Sequence, residues 1–202
     1  FDLDGRHSLR FTLPPQTPAR RVEACVGFRQ RPGEPPLTRE RVTLTDRSPG
    51  PGPNPRTEQG VRFEAHDHNG KLQPNTRVRS VPGSGGQITG LDCGWGLTIT
   101  LPHPVTFVEL TITHFVKPAT IEAFNTDGSS AGTVTMQDPR GRTPETVRVL
   151  GSAITRVAVY ADQDETLLNA FGFGTARIGT VQVSAFSGDM PVGQTRVQGL
   201  AG

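Results

Sequence analysis

The sequence predicts an all-β protein: an antiparallel two-sheet, jelly-roll-like sandwich with additional terminal strands. Three observations predict it. Apolar residues recur at every second position, as in Leu97-Thr98-Ile99-Thr100-Leu101, the period of a pleated strand with one buried face. The runs are rich in Val, Ile, Thr and Phe, whose branched or flat side chains pack well on a pleat. Turn chemistry separates the runs at spacings of about ten residues, the pattern of a sandwich or barrel, and 24 Gly and 18 Pro supply it.

Residues 1–22 read as an N-terminal arm, with one strand over Leu9–Leu13 and then a Pro-rich link. Residues 23–173 read as the central sandwich. Its opening strand is Ala24-Cys25-Val26-Gly27-Phe28. The stretch 46–60 carries Pro49, Pro51, Pro53 and Pro55. Proline has no N–H to donate to a ladder, so an extended surface loop or an edge crossing is expected there. From Val105 to Val116 the residues Val108, Leu110, Ile112, His114 and Val116 share one face. Further strands are expected at Thr120–Asn125, Thr133–Met136, Thr146–Leu150 and Ile154–Ala161. Turns divide them at Lys117-Pro118, Thr126-Asp127-Gly128, Asp138-Pro139-Arg140-Gly141 and Gly151-Ser152. Helical periodicity is nearly absent; a single turn of helix or a loop fits Asp162–Leu168. Residues 174–202 read as a C-terminal strand, Arg177–Phe186, and a flexible Gly-rich tail. The terminal strands are expected either to extend the sandwich or to pair with a neighbouring copy.

Composition removes several classes. No run of about 18 apolar residues could cross a membrane as a helix, and no membrane insertion is expected. A formal net charge of +2 is too small to imply a nucleic-acid partner. Glycine has no three-residue period, which excludes a collagen helix. Phe1-Asp2-Leu3-Asp4-Gly5 is polar, unlike a signal peptide. Cys25 and Cys93 match no zinc spacing. They read either as two buried thiols or as a disulfide, which would point to an oxidising compartment.

Few residues invite chemistry. His66-Asp67-His68 places two imidazoles on one face of a strand, a spacing some metal sites use, with His103 and His114 as possible third ligands. The same segment also reads as a solvated strand end running into an Asn69-Gly70 turn. The units Val22-Glu23-Ala24, Phe63-Glu64-Ala65 and Ile121-Glu122-Ala123 echo one another; strands that end in Asx-Gly turns look alike for geometric reasons. Trp95, the single tryptophan, stands between glycines in Asp92-Cys93-Gly94-Trp95-Gly96. A flat aromatic face suits the CH face of a pyranose, but a core plug at the mouth of a sandwich is the favoured reading. No Gly-x-Ser-x-Gly elbow occurs, and Gly83-Ser84-Gly85-Gly86 lacks the strand-to-helix context of a phosphate loop. No acidic pair is distinguished by its spacing, so no catalytic residue and no enzyme is expected. Asp92 and Asp67 are the best acids available to a hydrolase.

The central block resembles a family of uncharacterised bacterial β-sandwich domains similar in layout to galactose-binding and carbohydrate-binding jelly rolls. The resemblance is carried by Ala24–Phe28, Pro53-Asn54-Pro55-Arg56-Thr57-Glu58-Gln59-Gly60-Val61, Thr89-Gly90-Leu91-Asp92-Cys93-Gly94 and Val108-Glu109-Leu110. It continues through Pro118–Phe124, Ile154-Thr155-Arg156-Val157, Gln163–Leu168 and Phe171-Gly172-Phe173. It covers residues 23–173. The chain has Gly172 where the family's closing strand carries a cysteine. The resemblance implies the sandwich fold, sugar binding at loop tips and a possible structural calcium as cofactor; fold alone does not fix function. The functional expectation is a non-catalytic recognition module of a secreted or particle-borne protein, extracellular or surface-associated. Its partner would be a glycan or surface ligand, with Trp95, Asp92, His66, Asp67 and His68 as candidate ligand-binding residues. The alternative is a structural subunit of a filament, tail-like particle or surface layer, whose partners are copies of itself joined through edge strands.

Overall fold

The structure, a computed structural model, describes the backbone of residues 21–27, 38–137, 141–161, 166–187 and 190–201, and the side chains of 38–137, 141–161 and 166–176. Among these residues there are strands and turns and no helix. The strands are β1 (Arg21–Gly27), β2 (Thr38–Thr43), β3 (Gly50–Pro53), β4 (Arg56–Glu58), β5 (Val61–His66), β6 (Asn75–Gly83) and β7 (Gly86–Asp92). They continue as β8 (Gly96–His114), β9 (Thr120–Asn125), β10 (Ser130–Thr135), β11 (Glu145–Tyr160), β12 (Thr166–Thr175), β13 (Arg177–Ser187) and β14 (Met190–Ala201). The strand expected over Leu9–Leu13, the residues Asp138–Arg140 and residues 162–165 lie outside the described residues.

The chain divides into two units, residues 39–174 and residues 1–38 with 175–202. The smaller unit holds a three-stranded antiparallel sheet in the order β1-β13-β14. This differs from the sequence reading at both ends. Ala24–Gly27 do not open the sandwich: β1 pairs with β13 from Arg21↔Phe186 to Gly27↔Thr180. The Gly-rich tail is largely a strand, because Gly193 and Gly199 fall opposite Ala185 and Gly179 in an unbroken antiparallel register. Pro191 sits opposite Phe186, where the register shifts, so its missing donor coincides with the irregularity.

The larger unit is one antiparallel sheet of 11 strands, not closed into a barrel, folded over into two layers. Two long strands make the fold-over. β8 pairs with β11 from Gly96↔Tyr160 to Thr100↔Arg156, and again from Val105↔Ile154 to Ile112↔Glu145. Between these ladders stand Leu101-Pro102-His103-Pro104 on β8 and Thr155 on β11, and within the second ladder Gly151-Ser152-Ala153 of β11 bulge opposite Thr106. The two prolines remove donors from β8, and the bulge at Gly151 bends β11 close by, so both strands change direction in the same region. Gly151-Ser152 is thus a bend inside one strand rather than a turn between two. Layer one contains β4, β5, Gly96–Leu101 of β8, Arg156–Tyr160 of β11, β9 and β10. Layer two contains the remainder of β8 and β11, then β12. The outer edge of β12 is shared: β7 takes Leu167 and Leu168 and leads on to β6 and β3, while β2 also pairs with β12.

Alternation places the core between the layers. Leu97, Ile99, Ile121, Val157 and Phe63 from layer one, and Val108, Leu110, Ile112, Phe171 and Phe173 from layer two, are 0–1% exposed. Val116 departs from the expected face: β8 ends at His114, and Val116 is 50% exposed. The proline stretch also departs in part. Gly50–Pro53 forms β3, paired with β6 from Gly50↔Val78 to Pro53↔Asn75. Pro51 and Pro53 alternate with glycines, so the missing donors fall on one edge of the strand, and among the described residues β3 has its partner on one edge alone. Cys93 is fully buried on the core; the Cys25 side chain lies outside the described residues.

Candidate functional site

The outward face of layer one carries a trough that follows from cross-strand register. Thr98 on β8 pairs with Glu64 of β5 and Ala158 of β11, and Ala158 pairs with Glu122 of β9. One row away Gly96 pairs with Tyr160. Gly96, Thr98 and Ala158 are short and make a floor. Arg156 and Tyr160 stand two residues to either side of Ala158 on the same face of β11, about 13 Å apart along the strand at 3.3 Å per residue. The β5 end contributes His66, and the turn beyond it His68; Trp95 closes that side. Together they enclose a cavity of about 420 Å³.

Each wall residue has a local reason for its position. His66 ends β5, with Nε2 at 3.1 Å from Thr98 Oγ1 and Nδ1 at 3.3 Å from Gly70 O. Asp67 is committed to the turn: its Oδ1 accepts from the amides of Asn69 (2.8 Å) and Lys71 (2.9 Å). The Lys71 amide, and after it that of Asn69, hold the Asp67 carboxyl below its ordinary value. Asn69 Nδ2 lies 2.9 Å from His68 Nε2, and the His68 ring meets Trp95 edge-on at 6.0 Å between centroids. His66-Asp67-His68 is therefore a strand end running into a turn.

Trp95 is presented by Gly94. Gly94 has φ +59°, the left-handed region that glycine enters freely, and bridges to His66. An added Cβ would sit 2.8 Å from His66 O and 2.5 Å from Gln73 Nε2. The amide of Trp95 and Gln73 Nε2 both donate to His66 O at 3.1 Å. Asp92, expected as a ligand residue, does not line the trough. Its Oδ2 accepts from Arg79 Nη1 at 3.2 Å and its Oδ1 from the Gly94 amide at 3.1 Å, so it fixes the turn that delivers Trp95. Trp95 itself is 40% exposed and is not a core plug.

Sequence reasoning missed Tyr160 and Arg156 as site residues. Tyr160 is 51% exposed, and its hydroxyl donates to Glu122 Oε2 at 3.2 Å. Partial burial, then the bond to Glu122, raises its phenol above the ordinary value. The Arg156 guanidinium lies 4.0 Å above the Phe124 ring. The signal available in the sequence was the outward parity of Arg156, Ala158 and Tyr160 on a strand whose Val157 and Val159 face the core. Pairing Tyr160 with Gly96 needs the register, which no single strand carries.

The other candidates stay apart. His103 stands 3.6 Å from Glu40, and His114 is buried at the far end of β8. Among the described residues no group of three or more His, Cys, Asp or Glu is arranged to hold a metal ion. No helix among them is long and apolar enough to cross a membrane.

No protein-family model matches the chain, and no curated protein matches it either. Among solved structures it is similar to the K1 cleaved adhesin domain of Lys-gingipain from Porphyromonas gingivalis W83, at 10% identity over 83% of this chain and 99% of that one, with a TM-score of 0.26. It is also similar to the arabinofuranosyltransferase AftD from Mycobacteria, at 16% identity over 98% of this chain and 14% of that one, with a TM-score of 0.26. TM-scores this low say nothing of what this chain does; its all-β architecture and the trough stand on its own coordinates.

Proposed function

We propose that the chain is a non-catalytic recognition module that binds a glycan in the layer-one trough, as part of a secreted or particle-borne protein. The observation that carries this reading is the pairing of the chain's one Trp and one Tyr on the walls of a single open cavity. Both rings are partly open to solvent, and their flat faces suit the CH face of a sugar ring. Narrow polar groups around an apolar platform are what orient a small ligand. The acids at hand support the non-catalytic part: Asp67 is bound to two turn amides and Glu122 to the Tyr160 hydroxyl. A glycan array, run with and without calcium, tests the reading. Hits that vanish in Trp95→Ala are expected, and a blank array with the wild-type protein refutes it.

A second reading is a structural subunit that assembles through edge strands. It is favoured by β14, whose 12 residues have β13 as their one partner among the described residues. An unpaired edge is a template for another strand. Size-exclusion chromatography with light scattering separates the readings: a monomer at high concentration rules this one out.

A further inference from the structure

We infer that the trough takes an acidic glycan, with a sugar carboxylate docked on Arg156; this rests on the glycan-binding reading above. Among the described residues the Arg side chain that lines the trough, Arg156, has no carboxylate partner. Arg62 is held by Glu64 at 2.7 Å. Glu122 accepts from Tyr160, and Asp67 is bound by turn amides. Arg156 forms no ion pair among the described residues and rests instead on Phe124. Stacking on a ring holds the guanidinium plane and leaves its N–H edge open, and that edge matches a carboxylate with two parallel hydrogen bonds. The orientation of the ligand follows. Glu122 repels an anion at the Tyr160 end, while Trp95 and His68 offer an apolar platform by the β5 turn. One ring of the chain lies on Trp95, the chain runs over the floor of Thr98 and Ala158, and a further ring turns its acid toward Arg156. A neutral sugar makes the platform contact and loses the fork.

The test compares tri-galacturonate with its fully methyl-esterified form, which keeps the backbone and removes the charge. Binding is followed by the fluorescence of Trp95, beside an array carrying uronates, sialosides and neutral chains. The wild-type protein is expected to prefer acidic chains, and Arg156→Gln to weaken acidic chains about tenfold and so to remove that preference. Arg156→Lys, which keeps the charge and loses the fork, is expected to fall between. An unchanged melting temperature in both variants separates binding from folding. Equal binding of acid and ester, hits confined to neutral chains, or an acid preference that survives in Arg156→Gln each overturns the inference while the glycan reading stands. No hits of either kind overturn both.

Discussion

Phe63 on β5 meets Phe171 on β12 edge-on, with ring centroids 6.3 Å apart and planes at 86°. The contact joins layer one to layer two, and Phe173 extends it by stacking on Phe171 at 5.7 Å. Both rings of the interlayer pair are fully buried. Phe171→Ala is expected to cost about 3–5 kcal/mol, because the cavity it leaves is fixed by strands on both sides. Ile112→Asp buries an unpaired charge on the same interface and is expected to cost several kcal/mol. Urea denaturation measures both; a midpoint within error of wild type for Ile112→Asp places that residue off the core.

Gly94→Ala addresses the delivery of Trp95. The new Cβ meets the backbone carbonyl of His66 at 2.8 Å, and the positive φ disfavours any side chain. A loss of about 1–3 kcal/mol is expected, together with a shift in tryptophan emission as the ring leaves His68. Unchanged emission would mean that Gly94 does not set the position of Trp95.

The turn carboxylates make stability fall in acid. Asp67 is held below its ordinary value of 3.8 chiefly by the Lys71 amide. Asp127 is held below 3.8 chiefly by the Ser129 hydroxyl, which donates to it at 2.6 Å. A depressed folded value favours the folded state above the unfolded value of 3.8, and the gain is lost as pH drops through the folded values. Carboxyl titration by NMR should place both midpoints below 3.8, and Asp67→Asn, whose amide oxygen still accepts, should remove one of the two acid transitions. A midpoint at or above 3.8 for Asp67 would break the link to the turn.

Tyr160 can be titrated without interference, being the one tyrosine. Burial first, and the bond to Glu122 second, lift its phenol above 10.0. Ultraviolet titration should show that rise, and Glu122→Gln should take back part of it. A raised phenol contributes stability below the unfolded value that is lost as pH climbs through the folded one. A midpoint of 10.0 in the wild-type protein would argue against the Tyr160–Glu122 bond in solution.

Much of the fold is legible in the chain because a two-residue period is a local property. Leu97, Ile99 and Leu101 all face the core as their spacing predicts, and β9 occupies the expected Thr120–Asn125. What the period cannot show is which strands are neighbours. Ala24 and Val26 look like any sandwich strand, and only register assigns them to β13. The runs Thr146–Leu150 and Ile154–Ala161 read as two strands because a glycine at a corner resembles a glycine in a turn. The site divides the same way. His66, His68 and Trp95 could be suspected from composition, but Asp92 looked equally eligible until its hydrogen bonds were visible. Tyr160 and Arg156 gained meaning only once Gly96 and Phe124 were found across from them.

The passage of β8 and β11 through both layers has a mechanical consequence. Tension that a bound partner exerts on Gly96–Thr98 or Ala158–Tyr160 enters two strands that continue around the corner into the opposite layer. The load is then carried lengthwise, as shear spread over the rungs of a long ladder, rather than by peeling a short strand from an edge one bond at a time. The trough is thereby anchored on the two longest strands among the described residues, β8 and β11.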